Sequence, residues 1–303
     1  MMKLYFQKLL DKLPYIRGLR SEVDAYYKNA CFPVGHYYSP IVNIDEIERR
    51  QNQVWPSKLP DYIEGIDLDK DSHKQLIDSL SINYNSIPFK AEKSDGCRYY
   101  YNNIWFTYND AIFLHLMLRH IKPKRMIEVG SGFSSAVTLD TNNLFLQDYI
   151  QLTFIEPDLE RLNLLLKNDD SGKVNIVNKQ IQDVDTNIFK ELNSGDILFI
   201  DTSHICKSGS DLNFILFEIL PILNQGVIIH FHDIFYPFEY PKKWVLGRYN
   251  WNEIYIMRAF LMYNNKFKIK FFPSYVQNKF PEWLHGFPDV FKSDAQSIWI
   301  EKI

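Results

Sequence analysis

Cysteine is scarce and unpaired in this chain. Cys31, Cys97 and Cys206 are the only three, and no C-x-x-C pair or zinc-type Cys/His spacing occurs. That argues against a disulfide-stapled secreted framework and fits a reducing, cytoplasmic location. No run of about 18 apolar residues exists, so no transmembrane helix is expected. The first 19 residues place Leu4, Phe6, Leu9, Leu10 and Leu13 among lysines and arginines, without the unbroken apolar centre of a signal peptide. They read as an amphipathic helix packed on its own domain in preference to a membrane surface. An excess of one charge is missing as well. With 34 Lys+Arg against 37 Asp+Glu the net charge is −3, which disfavours a general nucleic-acid binder. Internal repeats, low-complexity tracts, and helix-turn-helix, zinc-finger and RNA-binding signatures are absent.

What is present is a large apolar fraction, 46%, ample for a buried core in a chain of 303 residues. Residues 1–30 read as one or two helices with a break at Pro14, and 31–65 as mostly irregular, with a short charged helix over 45–53. Helical spacing recurs over 71–80 and 108–120, on either side of the aromatic, β-prone patch Arg98-Tyr99-Tyr100-Tyr101-Asn102-Asn103. From residue 125 the rhythm alternates: strands over 125–129, 151–155, 174–177, 196–200 and 227–231, helices over 134–146, 159–166, 188–192 and 209–220. Short apolar strands separated by helices predict a doubly wound, Rossmann-like α/β sheet. The chain divides into an N-terminal helical and irregular extension, 1–95, and an α/β domain, 96–303.

Ligands of such sheets sit beyond the C-terminal strand ends. After the first predicted strand comes Gly130-Ser131-Gly132, followed by a helix start at Ser134 and Ser135. Glu128, two residues before the first glycine, disfavours a dinucleotide pyrophosphate and favours a cofactor with a cationic ammonium or sulfonium. Ser135 also stands where the dinucleotide fingerprint has its third glycine. Glu156 and Pro157 end the second strand, where a carboxylate can accept both ribose hydroxyls of an adenosine. Asp183, after the third, is a candidate for an adenine amino group. Asp201-Thr202-Ser203-His204 follows the fourth strand, and His232-Asp233 the fifth. His204 suits a general base, with Asp201 and His232 beside it. Strand alternation would turn His232 and Asp233 to opposite sides unless the strand has ended. If it has, Asp201 and Asp233 could join in an oxygen-rich divalent-metal site, Mg²⁺ for example, or in a hydrogen-bonded pair that positions a base.

Over residues 95–245 these motifs resemble class I S-adenosylmethionine-dependent methyltransferases. Glu128-Val129-Gly130-Ser131-Gly132 is similar to their first motif, Phe154-Ile155-Glu156 to their ribose-binding strand end. Ile200-Asp201-Thr202-Ser203-His204 and Phe231-His232-Asp233 resemble the I-D-G-S-H and F-H-D patterns of a bacterial small-molecule or sugar O-methyltransferase branch, with Thr202 in place of glycine. The resemblance implies a mostly parallel seven-stranded sheet closed by an antiparallel last strand from 267–272 and 297–300. It also implies methionine-moiety contacts from Glu128, Gly130 and Ser131. The expected activity is O-methylation of a small hydroxyl compound. His36, Tyr37 and Tyr100 are candidate acceptor contacts from an irregular aromatic lid. An NAD(P) oxidoreductase and a non-catalytic cofactor-binding module are the alternatives. A nucleic-acid methyltransferase is disfavoured because no Asn/Asp-Pro-Pro-Tyr-type motif is present. A homo-oligomer is neither required nor excluded.

Overall fold

The computed structural model describes residues 10 and 13–303. The hydrophobic pattern over residues 1–9 lies outside the described residues. Contacts group the chain into two units, residues 1–57 with 245–250 and residues 58–244 with 251–303.

In the smaller unit Pro14 opens a helix, Pro14–Asn29, at a first-turn position where its missing N–H costs nothing. A second helix, Ile44–Arg49, begins at Asn43, whose side chain accepts from Glu46 N. Between them Phe32, His36, Tyr37 and Tyr38 form a knot of mutually packed rings, with His36 stacked on Phe32 and on Tyr37.

The larger unit is built on one seven-stranded sheet in the order β3-β2-β1-β4-β5-β7-β6. Its strands are β1 (Arg125–Val129), β2 (Gln151–Ile155), β3 (Val174–Val177), β4 (Ile197–Ile200), β5 (Ile228–His232), β6 (Phe267–Phe271) and β7 (Ser297–Lys302). The first five are parallel, and β7 runs antiparallel to both β5 and β6. This is the doubly wound sheet that the alternating pattern and the family resemblance called for. Every residue of β4 and β5 is buried, which explains their unbroken apolar character around His230 and His232. His230 stacks on Phe199 at 3.9 Å and meets Trp299 edge-on, so its imidazole belongs to the core, and burial holds it neutral.

Register positions the site. Val129 lies opposite Ile155 and Ile200, Ile155 opposite Val177, and Ile200 opposite Phe231. The residues that follow, Gly130, Glu156, Asp201 and His232, therefore emerge in a row at one edge. Behind them the helix Tyr108–Ile121 is buried from Asn109 to Leu118 and stops at Lys122 in the left-handed conformation, ahead of Pro123. The Lys70–Ser81 helix also packs in this unit. Ile77 and Leu80 join the core, and His73 Nε2 accepts from Phe272 N at 2.9 Å. No helix among the described residues is long and apolar enough to cross a membrane.

Two stretches depart from the sequence pattern. The predicted helix over 209–220 is α-helical only over Asp211–Phe214, then widens to a π-turn and tightens to a 3₁₀-turn, because Pro221 cannot donate the next helical bond. The β-prone patch at 98–103 forms no strand, since Asp140 Oδ2 takes the N–H groups of Arg98 (2.7 Å) and Tyr99 (2.9 Å). The Arg98 guanidinium is buried between Asp140 (Nη1–Oδ1 2.7 Å) and Asp170 (Nε–Oδ2 3.0 Å). Arg98→Met should lower the unfolding free energy by about 3–5 kcal/mol in denaturant titration, because two buried carboxylates lose the guanidinium that bridges them. A loss below about 1 kcal/mol would show that solvent reaches the pair.

Candidate active site

A cavity of about 690 Å³ opens at the row of strand ends. Val129, Gly130, Ser131, Gly132 and Ser134 form one wall, and Glu156 and Pro157 the next. Asp201, Thr202, Ser203 and His204 face them, with His232 and Asp233 beyond. Of the strand-end residues singled out in the sequence, Gly130, Glu156, Asp201, His204, His232 and Asp233 thus meet around one space.

The glycine turn is held from two sides. Ser131 N donates to Glu156 Oε2 at 2.8 Å, and Asp158 N donates to Oε1 at 2.9 Å. Glu156 so braces the turn and keeps lone pairs for a ligand. Gly130 has φ +84°, and a Cβ there would sit 1.6 Å from the Asp201 carbonyl oxygen. Glu128 does not reach the cavity wall. It is fully buried behind the turn, where Oε1 accepts from Ser134 Oγ (2.6 Å) and Ser135 Oγ (2.9 Å) while Oε2 has no partner. Ser135 in turn accepts from Gly132 N. Burial pushes the Glu128 carboxyl up to about 8, against the two serine bonds. Its influence on a ligand passes through Ser134, which lines the cavity.

Across the cavity stands a buried acid–histidine cluster. His204 Nδ1 lies 2.7 Å from Glu253 Oε2, and Nε2 lies 3.2 Å from Asp233 Oδ2 and 3.4 Å from Asp201 Oδ1. His232 Nε2 is 3.6 Å from Asp233 Oδ1. Strand β5 ends at His232, and Asp233 takes a left-handed φ of +56°, so alternation no longer separates the two side chains. His204 has φ +59°, a second non-glycine residue in this costly region at a strand end. Burial alone would lower the His204 pKa. Asp201, Glu253 and Asp233 override it and raise it well above the ordinary value. Burial raises Asp233, with His232 and His204 opposing, and raises Glu253, with His204 opposing. Asp201 is held low by His232 and His204 despite desolvation.

Residues 127–234 match the family model described as a methyltransferase domain. The chain carries a methyltransferase domain. An uncharacterised protein of Archaeoglobus fulgidus is 32% identical over 198 residues, which are 63% of this chain and 87% of that one. Among solved structures, the SAH-bound Podospora anserina methyltransferase PaMTH1 shares 13% identity, with 91% of this chain and 99% of that one covered, at a TM-score of 0.43. The O-methyltransferase TomG of Streptomyces achromogenes, in complex with SAM, shares 11%, with 85% and 96% covered, at 0.39. These structural likenesses are remote.

Two expected site residues, Asp183 and Tyr100, lie off the cavity wall. Asp183 is exposed at the end of a 3₁₀-turn that presents Ile181 and Gln182 to the cavity in its place, and Gln182 Nε2 donates to Gly209 O. Tyr100 packs edge-on against Phe133 and is not on the wall. His36 and Tyr37 belong to the smaller unit. Conversely, sequence reasoning missed Trp105, Phe106, Arg161, Trp251 and Glu253. Arg161 lies over the Trp105 ring at 3.9 Å, and Phe106 packs on His232 at 5.1 Å. The aromatic run at 98–106 was the only available signal for the first two. Nothing local marked the last two.

Proposed function

We propose that the protein transfers a methyl group from S-adenosylmethionine to an oxygen of a small molecule. The observation that carries this reading is the continuity of one cavity from the glycine turn and Glu156 to the Asp201–His204–Asp233 cluster. The residues fit the cofactor. Ser131 Oγ and Thr202 Oγ1 are buried polar atoms without partners on residues of the wall. S-adenosylmethionine would supply a methyl group on a positively charged sulfur with a ready leaving group. Backbone of the glycine turn and the Glu156 carboxylate would hold the nucleoside, and Ile181 and Gln182 would border its base.

The sequence suggested His204 as the base. Three carboxylates around its ring keep it charged at neutral pH, so it cannot accept a proton there. Asp233 takes that role in this proposal. Its carboxylate lines the cavity, and burial makes it more basic than usual, with His232 and His204 opposing. Activity should rise with pH as Asp233 ionises and fall at alkaline pH as His204 loses its proton. Asp233→Asn should lower turnover by roughly 10²–10⁴-fold. Unchanged turnover would remove the assignment. A second reading has its own support, since donor atoms of Asp201, His204 and Asp233 lie within 4.8 Å of one another and could hold a divalent cation. Activity abolished by EDTA and restored by Mg²⁺ would favour the cation. Activity indifferent to both would favour the proton.

The deciding experiment for the cofactor is calorimetric titration with S-adenosylhomocysteine against NADH. Saturable binding of the thioether alone supports methyl transfer. Binding of NADH alone overturns it. An acceptor screen over sugars, phenols and other hydroxyl compounds then follows.

A further inference from the structure

We infer that Glu253 is the positioning residue for His204, so that the functional site extends past the matched domain, which ends at residue 234, into the segment 251–253. The inference rests on the methyl-transfer reading for its kinetic arm alone.

Three consecutive residues grip the turn that carries His204. The N–H groups of Asn252 and Glu253 both donate to the His204 carbonyl, each at 3.1 Å. The Asn252 side chain accepts from Cys206 N at 2.6 Å and donates to Cys206 O at 3.2 Å. The Trp251 ring packs on the His204 ring at 4.5 Å and lines the cavity beside it. Glu253 completes the grip on the imidazole itself, with side-chain exposures of 7% for His204 and 2% for Glu253. At such burial the hydrogen bond between them has no competition from water.

The ordinary account of Glu253 is a carboxylate at the start of the helix Glu253–Leu261, placed there by the helix dipole. That account does not explain why the side chain is withdrawn from solvent and turned onto a ring 49 positions earlier. A dipole effect needs neither burial nor a partner, whereas a charge-assisted bond to a buried ring needs both. An imidazole can present either nitrogen after a flip about its last side-chain bond. Holding Nδ1 on Glu253 leaves Nε2 as the nitrogen aimed at Asp201, Asp233 and the cavity. The left-handed backbone at His204 sets the direction of the side chain, and Glu253 sets the rotation of the ring.

The test uses the full-length protein with ¹⁵N-labelled histidine. In the unmutated protein a downfield Nδ1 proton, assigned through its loss in His204→Gln, should be visible. Glu253→Leu should abolish it, and Glu253→Asp should restore it in part. S-adenosylhomocysteine affinity in all three Glu253 variants (Leu, Gln and Asp) should stay within about threefold, which also reports that each is folded. Turnover of an identified acceptor should fall by about 10²-fold in Glu253→Leu, through kcat with KM little changed. A downfield proton that survives in Glu253→Leu overturns the inference, and so does unaltered kcat. If Glu253→Leu fails to fold, Glu253→Gln, which keeps the shape and loses the charge, decides by the same resonance. Should the unmutated protein bind no thioether, methyl transfer fails while the resonance still decides the role of Glu253.

Discussion

Gly130→Ala is expected to be the most damaging single substitution in this protein. Two costs fall together at this position. The φ of +84° is a conformation that alanine adopts only under strain, and the new Cβ would lie 1.6 Å from the Asp201 carbonyl oxygen and 2.7 Å from its carbonyl carbon. Both obstacles are backbone, so no side chain can swing aside. Either the glycine turn retreats from β4 or the Asp201 strand end is pushed away, and Asp201 N is itself tied to Val129 O at 2.9 Å. The expected loss is about 3 kcal/mol or more of stability, together with at least about 100-fold in S-adenosylhomocysteine affinity. Gly132→Ala provides the contrast. Gly132 has φ 177°, extended backbone open to any residue, and its nearest obstacle is Arg161 Cδ at 3.0 Å, on a flexible side chain. It should cost under about 1 kcal/mol. Equal losses for the two alanines in denaturant titration would sink the argument from the Asp201 carbonyl.

The contrast between these two glycines shows what the chain does and does not reveal before it folds. Strands β1, β2 and β3 begin and end where the apolar runs do, because each is short, buried and bounded by turn residues. The strand-end row followed from that periodicity, and with it Gly130, Glu156, Asp201, His204, His232 and Asp233. Direction was less legible. Asp183 and Gln182 are neighbours in sequence, and only the 3₁₀-turn decides that the amide faces the cavity and the carboxylate faces solvent. Asp233 meets His204 because of one left-handed residue, which no alternation pattern encodes. The charge state of His204 was hidden for the same reason. Its shortest carboxylate contact, Glu253, arrives from the start of the Glu253–Leu261 helix, 49 positions along the chain. In the smaller unit, residues 245–250 return to join 1–57, a tertiary event with no local signature.

Glu128 carries the second large prediction. In the folded protein its carboxyl is pushed up to about 8 by burial, from an ordinary value of 4.5. The folded state therefore prefers the neutral acid. Its favourable state is fully populated below pH 4.5, and stability drains away as pH rises from there to about 8, with no further change beyond. The span sets an upper limit of about 5 kcal/mol on the effect. Glu128→Gln keeps the shape and an acceptor for the Ser134 and Ser135 hydroxyls, and it cannot ionise. It should match the unmutated protein near pH 5 and exceed it by a few kcal/mol near pH 9 in denaturant titration. Parallel pH profiles for the two proteins would mean that Glu128 is already ionised at neutral pH. The functional consequence concerns the choice of ligand. A neutral acid behind the turn gives up its proton most readily when a positive charge settles near Ser134, the serine that joins it to the cavity wall. Titrations with S-adenosylmethionine in two buffers of different ionisation enthalpy should then reveal proton release, near zero in Glu128→Gln. An acidic residue ahead of the glycines would in this way favour a cationic cofactor without touching it.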